Sequence, residues 1–161
     1  MASIRQSVEV RVPLAAAYNQ WTQFEDFPRF MEGVREVTQL DDAHLHWRAD
    51  RRGRTVEWDS EITEQVPDQL IAWRDIGGPG NSGSVRFQPL QQDLTRVDLS
   101  MDLAPQLPGD EQAQHENELR RRVEQDMLRF KQMLEAQGTA SGAWRGEVHG
   151  GAGESGGGTG A

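Results

Sequence analysis

The chain has 161 residues, with 17 Lys and Arg, 26 Asp and Glu, no Cys and a formal net charge of −9. That length suits one compact domain, and the lack of Cys excludes a disulfide framework or thiolate metal site and suits a reducing, cytoplasmic location. The acidic balance argues against binding duplex nucleic acid. Stable membrane insertion is not expected either, because the longest purely apolar run, Leu14 to Tyr18, falls far short of the ~20 residues that span a bilayer.

In chain order, Ile4, Val8, Val10 and Val12 alternate with Arg5, Ser7, Glu9 and Arg11, the period of a half-buried strand. Those same charged residues interrupt any signal-peptide core. Pro13 suits the opening of a helix, and Leu14, Ala17, Tyr18 and Trp21 follow at helical spacing. A second short helical piece is predicted over Asp26 to Met31 around Pro28, ending at Gly33. Six strands follow, over 34–40, 44–50, 54–65, 70–76, 84–90 and 95–103. Asp41-Asp42, Arg52-Gly53, Pro67-Asp68, a Gly-rich turn and Gln92-Asp93 separate them, as in an antiparallel meander.

The last element is of a different kind. From Asp110 to Gln137 there is no Gly or Pro, and Leu119, Val123, Met127, Phe130, Met133 and Leu134 share one arc of a helical wheel. A sheet with one apolar face needs a cover, and only this helix is large enough. The inward set across the sheet is Leu45, Trp47, Trp58, Ile71, Trp73, Val85, Phe87, Val97, Leu99 and Met101. The predicted fold class is therefore α+β: a curved antiparallel sheet of about seven strands wrapped around a long C-terminal helix, with two short helices after the first strand. Ten of the 17 glycines lie in residues 138–161. The domain is therefore expected to occupy 1–137 and a disordered tail 138–161. Trp144, Arg145 and Val148 are the exceptions, and the sequence leaves open whether they dock back.

Leu45-His46-Trp47, Glu57 to Glu64 (EWDSEITE), Pro67-Asp68, Ile71 to Arg74 (IAWR), Val85 to Leu90 (VRFQPL), Thr95-Arg96-Val97 and Asp126 to Glu135 (DMLRFKQMLE) together resemble the START-like (SRPBCC) superfamily. The closer resemblance is to its polyketide cyclase/dehydrase group, which overlaps the coenzyme Q-binding START-domain family. It spans roughly residues 3 to 137 and extends to Gly142 to Glu147 in the tail. The resemblance implies a helix-grip fold with a hydrophobic cavity between sheet and helix. It does not fix an activity, because such a fold hosts carriers, cyclases and hormone-binding proteins alike.

Trp47, Trp58 and Trp73 put three indoles on one sheet face, a rigid apolar surface with N–H handles that suits a flat ligand. The alternative is that they fill the core under the helix. Phe87, Met101 and Phe130 are expected to line the same space, and Tyr18 and Trp21 to close its mouth. Asp126 lies about 20° from Leu119 on the wheel. It is placed to hydrogen-bond a ligand or act as a general acid if burial raises its pKa; the simpler expectation is an ion pair with Arg122 or Arg129. Ser60 and Asp75 are the other inward polar candidates, and together these make a thin catalytic set.

His44 and His46 share a strand face with Arg48 and Asp50 and have no nearby third ligand, so no metal is expected. Gly78 to Gly83 matches the letters of a dinucleotide fingerprint, but a strand follows where a helix is required. No cofactor is expected. Arg48, Arg51, Arg52 and Arg54 at a hairpin, and Arg120 to Arg122 on the helix, read as solvated faces.

The leading expectation is non-catalytic binding of a small hydrophobic molecule, such as a lipid, quinone or polyketide-like compound. A polyketide aromatase/cyclase or dehydratase is the second. A protein-interaction module using the tail or the Arg48 to Arg54 hairpin is the third, with no particular protein partner indicated.

Overall fold

The computed structural model describes residues 2–51, 53–104 and 109–149. The alternating segments form β1 (Ala2–Val10), β2 (Val34–Asp41), β3 (His44–Arg51), β4 (Arg54–Val66), β5 (Leu70–Ile76), β6 (Ser82–Gln91) and β7 (Leu94–Leu103). Their spatial order is β1-β7-β6-β5-β4-β3-β2, every pair antiparallel. One face of this sheet is apolar. Helix α1 (Leu14–Trp21) and the long helix α2 (Gly109–Gln137) supply Ala17, Tyr18, Trp21, Val123, Met127, Phe130 and Leu134 to the core beneath it. The α+β helix-grip architecture is therefore present.

Four features depart from simple periodicity. The piece after α1 is a 3-10 helix over Phe24–Arg29, not the predicted helical segment from Asp26 to Met31. Phe24, Phe27 and Phe30 recur every three residues, and a helix of 3.0 residues per turn stacks them on one face; all three are buried. In β4 the pairing with β5 slips by one residue between Ile62 and Glu64. Such a bulge inverts the faces, so the inward series Trp58, Ser60, Ile62 continues at Gln65, which is fully buried. At the β4–β5 turn Asp68 takes φ 65° after Pro67, the Pro-then-left-handed sequence of a type II turn.

The fourth departure concerns the expected boundary at 137. Gly138 does end α2, its N–H bonding to Leu134 O at 2.8 Å with φ 77°. The chain then turns back along α1 and the 3-10 helix instead of leaving the domain. Ser141 N–H donates to Gln20 Oε1 at 2.9 Å and Trp144 N–H to Thr22 Oγ1 at 3.1 Å. Arg145 bonds Asn19 Oδ1 at 2.6 Å and Asp68 Oδ2 at 2.7 Å. Val148–His149 then form β8, an eighth strand paired with Gln65 and Glu64 of β4. Gly142 passes close to Gln23: a Cβ there would lie 2.6 Å from Gln23 Oε1, so that flexible side chain would have to shift. The expected tail therefore packs on the domain as far as His149, and the rest of it lies outside the described residues. No helix among the described residues is long and apolar enough to cross a membrane.

Candidate functional site

Between the concave sheet face and α2 lies a cavity of about 150 Å³. Its roof is the inward face of β3, β4, β5 and β7, with Trp47, Trp58, Trp73 and Met101 as the largest groups. Its floor is one face of α2, where Leu119, Val123 and Met127 are joined by Arg122 and Asp126. The 3-10 helix closes one end with Phe24 and Phe27.

Strand pairing positions the three indoles. Trp47 and Trp58 are register partners on β3 and β4. Trp73 is paired with Gly83, where a Cβ would fall 2.8 Å from its ring, so the glycine lets the indole lie across β6. The N–H handles of two indoles are already used within the protein. Trp47 Nε1 donates to Ser60 Oγ at 2.8 Å, and Trp58 Nε1 to Asp75 Oδ1 at 3.2 Å. These two therefore offer a ligand ring surface, not the donors the sequence suggested.

Two half-buried carboxyl groups, Asp126 and Asp75, border the cavity together with the exposed Glu32. Asp126 Oδ1 accepts from Arg129 Nη1 at 2.9 Å and from the Glu32 backbone N–H at 3.1 Å, so the expected ion pair with Arg129 and the inward placement hold together. Burial pushes its pKa up to about 6 against those bonds. Asp75 accepts from Trp58 through Oδ1 and from Asn81 N–H through Oδ2 at 3.0 Å. Burial likewise pushes it up to about 6, opposed by these donors and by Arg51.

Arg51 corrects the reading of its hairpin as a solvated face. It has the same strand parity as Leu45, Trp47 and Ala49, and with them it lines the cavity, its guanidinium 5.7 Å from the Trp58 ring centre. Its Nε is buried with no hydrogen-bond partner among the described residues. Burial pulls its pKa down, with the like charge of Arg122 adding to the effect. Arg122 lies at the mouth beside Gly33.

Of the residues singled out from sequence, Trp47, Trp58, Trp73, Met101, Asp126 and Trp21 line the cavity. Phe87, Phe130 and Tyr18 do not. Phe130 is fully enclosed behind the wall, packed on Trp21 and Phe30 at 5.0 and 5.1 Å between ring centres. Phe87 packs edge-on against Tyr18 at 5.4 Å. Tyr18 lies under the returning chain, with Arg145 5.4 Å over its ring and Gln65 Nε2 donating to its hydroxyl at 3.1 Å. Burial raises its pKa above the ordinary tyrosine value. Both strand histidines face outward, His46 against Asp59 at 2.6 Å and Glu57 at 2.8 Å. No cluster able to hold a metal occurs among the described residues. Gly78 to Asn81 lie in the turn between β5 and β6, and Ser82 and Gly83 open β6, with Pro79 and Asn81 lining the cavity.

Comparison with known proteins agrees with this geometry. Residues 10–129 match the family model described as polyketide cyclase / dehydrase and lipid transport. A 17.2 kDa protein from the melC2-rnhH intergenic region of Streptomyces lincolnensis is 42% identical over 149 residues, covering 92% of this chain and 99% of the relative. A crystal structure from Deinococcus radiodurans superposes with a TM-score of 0.67 at 27% identity, over 84% of this chain and 99% of that one. The Zhui aromatase/cyclase from Streptomyces sp. R1128 gives a TM-score of 0.74 at 17% identity, over 89% and 99% of the two chains; that likeness is one of fold.

Proposed function

Since the chain belongs to the polyketide cyclase / dehydrase and lipid transport family, we propose that it binds a small, largely apolar molecule between the sheet and α2 and releases it unchanged. The observation that carries this reading is the cavity itself. Most of its lining residues are apolar, with Trp, Phe, Leu, Ile and Met side chains in the majority, yet it holds one buried cationic donor, Arg51 Nε, with no partner among the described residues. A purely structural core fills such a space and leaves no donor unmet. An apolar site with a few convergent polar groups is the usual form of a ligand pocket.

Native mass spectrometry of the protein purified from its own host tests this. A retained molecule adds a fixed mass at about one per chain. A mass-free protein whose tryptophan fluorescence no apolar probe quenches saturably would overturn the reading.

A second reading, an aromatase/cyclase or dehydratase, is favoured by Asp75 and Asp126. Both hold a proton up to about pH 6 and border the same space as Arg51. A protonated carboxyl is suited to donate a hydrogen bond to a carbonyl oxygen, and a guanidinium to stabilise negative charge that develops on such an oxygen. Turnover of an aromatic polyketide that stops in Asp126→Asn, with folding kept, would put this reading first. For the interaction-module reading, Arg145 and Val148 are engaged within the domain, which leaves the Arg48 to Arg54 hairpin as its contact surface.

A further inference from the structure

We propose that the cavity is a site for one aromatic ring bearing one carboxylate, the ring held among Phe27, Trp47 and Trp58 and the carboxylate against Arg51. This rests on the binding reading above and names the ligand class.

Size comes first. A volume of about 150 Å³ is that of an apolar cavity able to take up benzene, whereas sites for larger molecules run to about 300–1,000 Å³. The walls are also backed. Trp58 is pressed between Trp47, with ring planes 3° apart, and Gly78, where a Cβ would lie 2.5 Å from its own Cβ. Phe27 is braced by Trp21 and Phe24, each 5.5 Å away between ring centres. Room for a second fused ring would require these stacks to separate.

Charge comes second. Five charged groups border the space: Glu32, Arg51, Asp75, Arg122 and Asp126; the Glu32 carboxylate pairs with Arg129 at 3.1 Å. The Asp126 carboxylate is answered by Arg129, and both Asp75 oxygens already accept a protein N–H. Arg51 is half-buried and its Nε is buried with no hydrogen-bond partner among the described residues, and leaving a buried donor so is costly. A ligand carboxylate supplies the missing acceptor in a charge-assisted, planar pairing.

The test is calorimetric titration of the full-length protein with benzoate, its neutral counterpart benzyl alcohol, anthracene-2-carboxylate and palmitate. It is run at about pH 5.5, where benzoate is ionised and the two aspartates keep much of their protons. Benzoate is expected to bind at one per chain. Arg51→Gln should weaken it about tenfold or more while moving benzyl alcohol less than about twofold. Ala49→Leu, which extends a wall residue into the cavity, should abolish benzoate binding with the far-ultraviolet spectrum unchanged. Equal binding of benzoate and benzyl alcohol, unaltered by Arg51→Gln, would overturn the proposal, as would full benzoate binding by Ala49→Leu. Binding of palmitate or anthracene-2-carboxylate without benzoate would overturn it too, while leaving the broader binding function standing. Failure of all four probes, in a protein that carries no ligand from its host, would remove both.

Discussion

Trp47 and Trp58 stack face to face across β3 and β4, their ring planes 3° apart and their centres separated by 5.8 Å. The pair is part of a wall, since both rings also border the cavity. Phe130, by contrast, is enclosed on all sides. Trp58→Ala should therefore cost about 1–3 kcal/mol and Phe130→Ala about 3–5 kcal/mol. Chemical denaturation of the two variants checks the order, and Trp58→Ala alone should weaken ligand binding.

Gly78 has φ 56° and leaves no space for a Cβ against Trp58. Gly78→Ala meets both penalties and should destabilise by more than about 1 kcal/mol. It should also change the near-ultraviolet circular dichroism, because the coupled indoles of Trp47 and Trp58 are displaced together.

The two cavity aspartates make stability depend on pH in a fixed direction. Each has a folded pKa of about 6 against an unfolded value of about 3.9. Between those values the folded state binds more protons, so stability falls as pH rises from about 4 to about 6. His46, whose pKa is raised by its bonds to Asp59 and Glu57, acts in the same sense at higher pH. Asp75→Asn keeps a hydrogen-bond acceptor for Trp58 or Asn81 and cannot ionise. It should be about 1–2 kcal/mol more stable than the parent at pH 7 and converge with it near pH 4, as read from melting curves at both pH values.

Residues 138–149 bring backbone and side-chain bonds to Gln20, Thr22 and Asn19 and a strand to β4. Truncation after Gln137 should lower the melting temperature by several degrees, since ~1 kcal/mol moves a domain of this size by a few degrees. Arg145→Ala should cost less than about 1 kcal/mol, because its ion pair with Asp68 is partly solvated. An unchanged melting temperature in the truncated protein would show that these contacts contribute nothing.

The fold and part of the site were legible in the sequence because alternation is a local signal. It put Trp47, Trp58 and Trp73 on one face, and the helical wheel put Asp126 toward them. Arg51 was legible by the same parity, but its charged neighbours Arg48 and Arg54 suggested a solvated surface. The three-residue spacing of Phe24, Phe27 and Phe30 also carried a signal, since it matches a 3-10 turn better than an α-helix. Phe87 and Phe130 share the apolar face with the cavity residues. Which part of such a face is hollow depends on packing between distant segments, and no local pattern encodes that. The docking of 138–149 was hidden for a similar reason. Its contacts are scattered hydrogen bonds from Ser141, Trp144 and Arg145, an ion pair and a two-residue strand, which leave no periodic pattern in a Gly-rich stretch.

The bulge in β4 divides that strand between two neighbours on one side: β3 pairs with it as far as Glu61, and β8 takes over at Glu64 and Gln65. The second of these neighbours is among the last described residues to be synthesised. Until residues 148–149 have left the ribosome, the far half of β4 is an uncovered strand edge open to pairing with another chain. Premature termination between the end of α2 and Val148 would thus yield a molecule with a nearly complete core and a sticky margin, a more hazardous product than one stopped early enough to be degraded as unfolded.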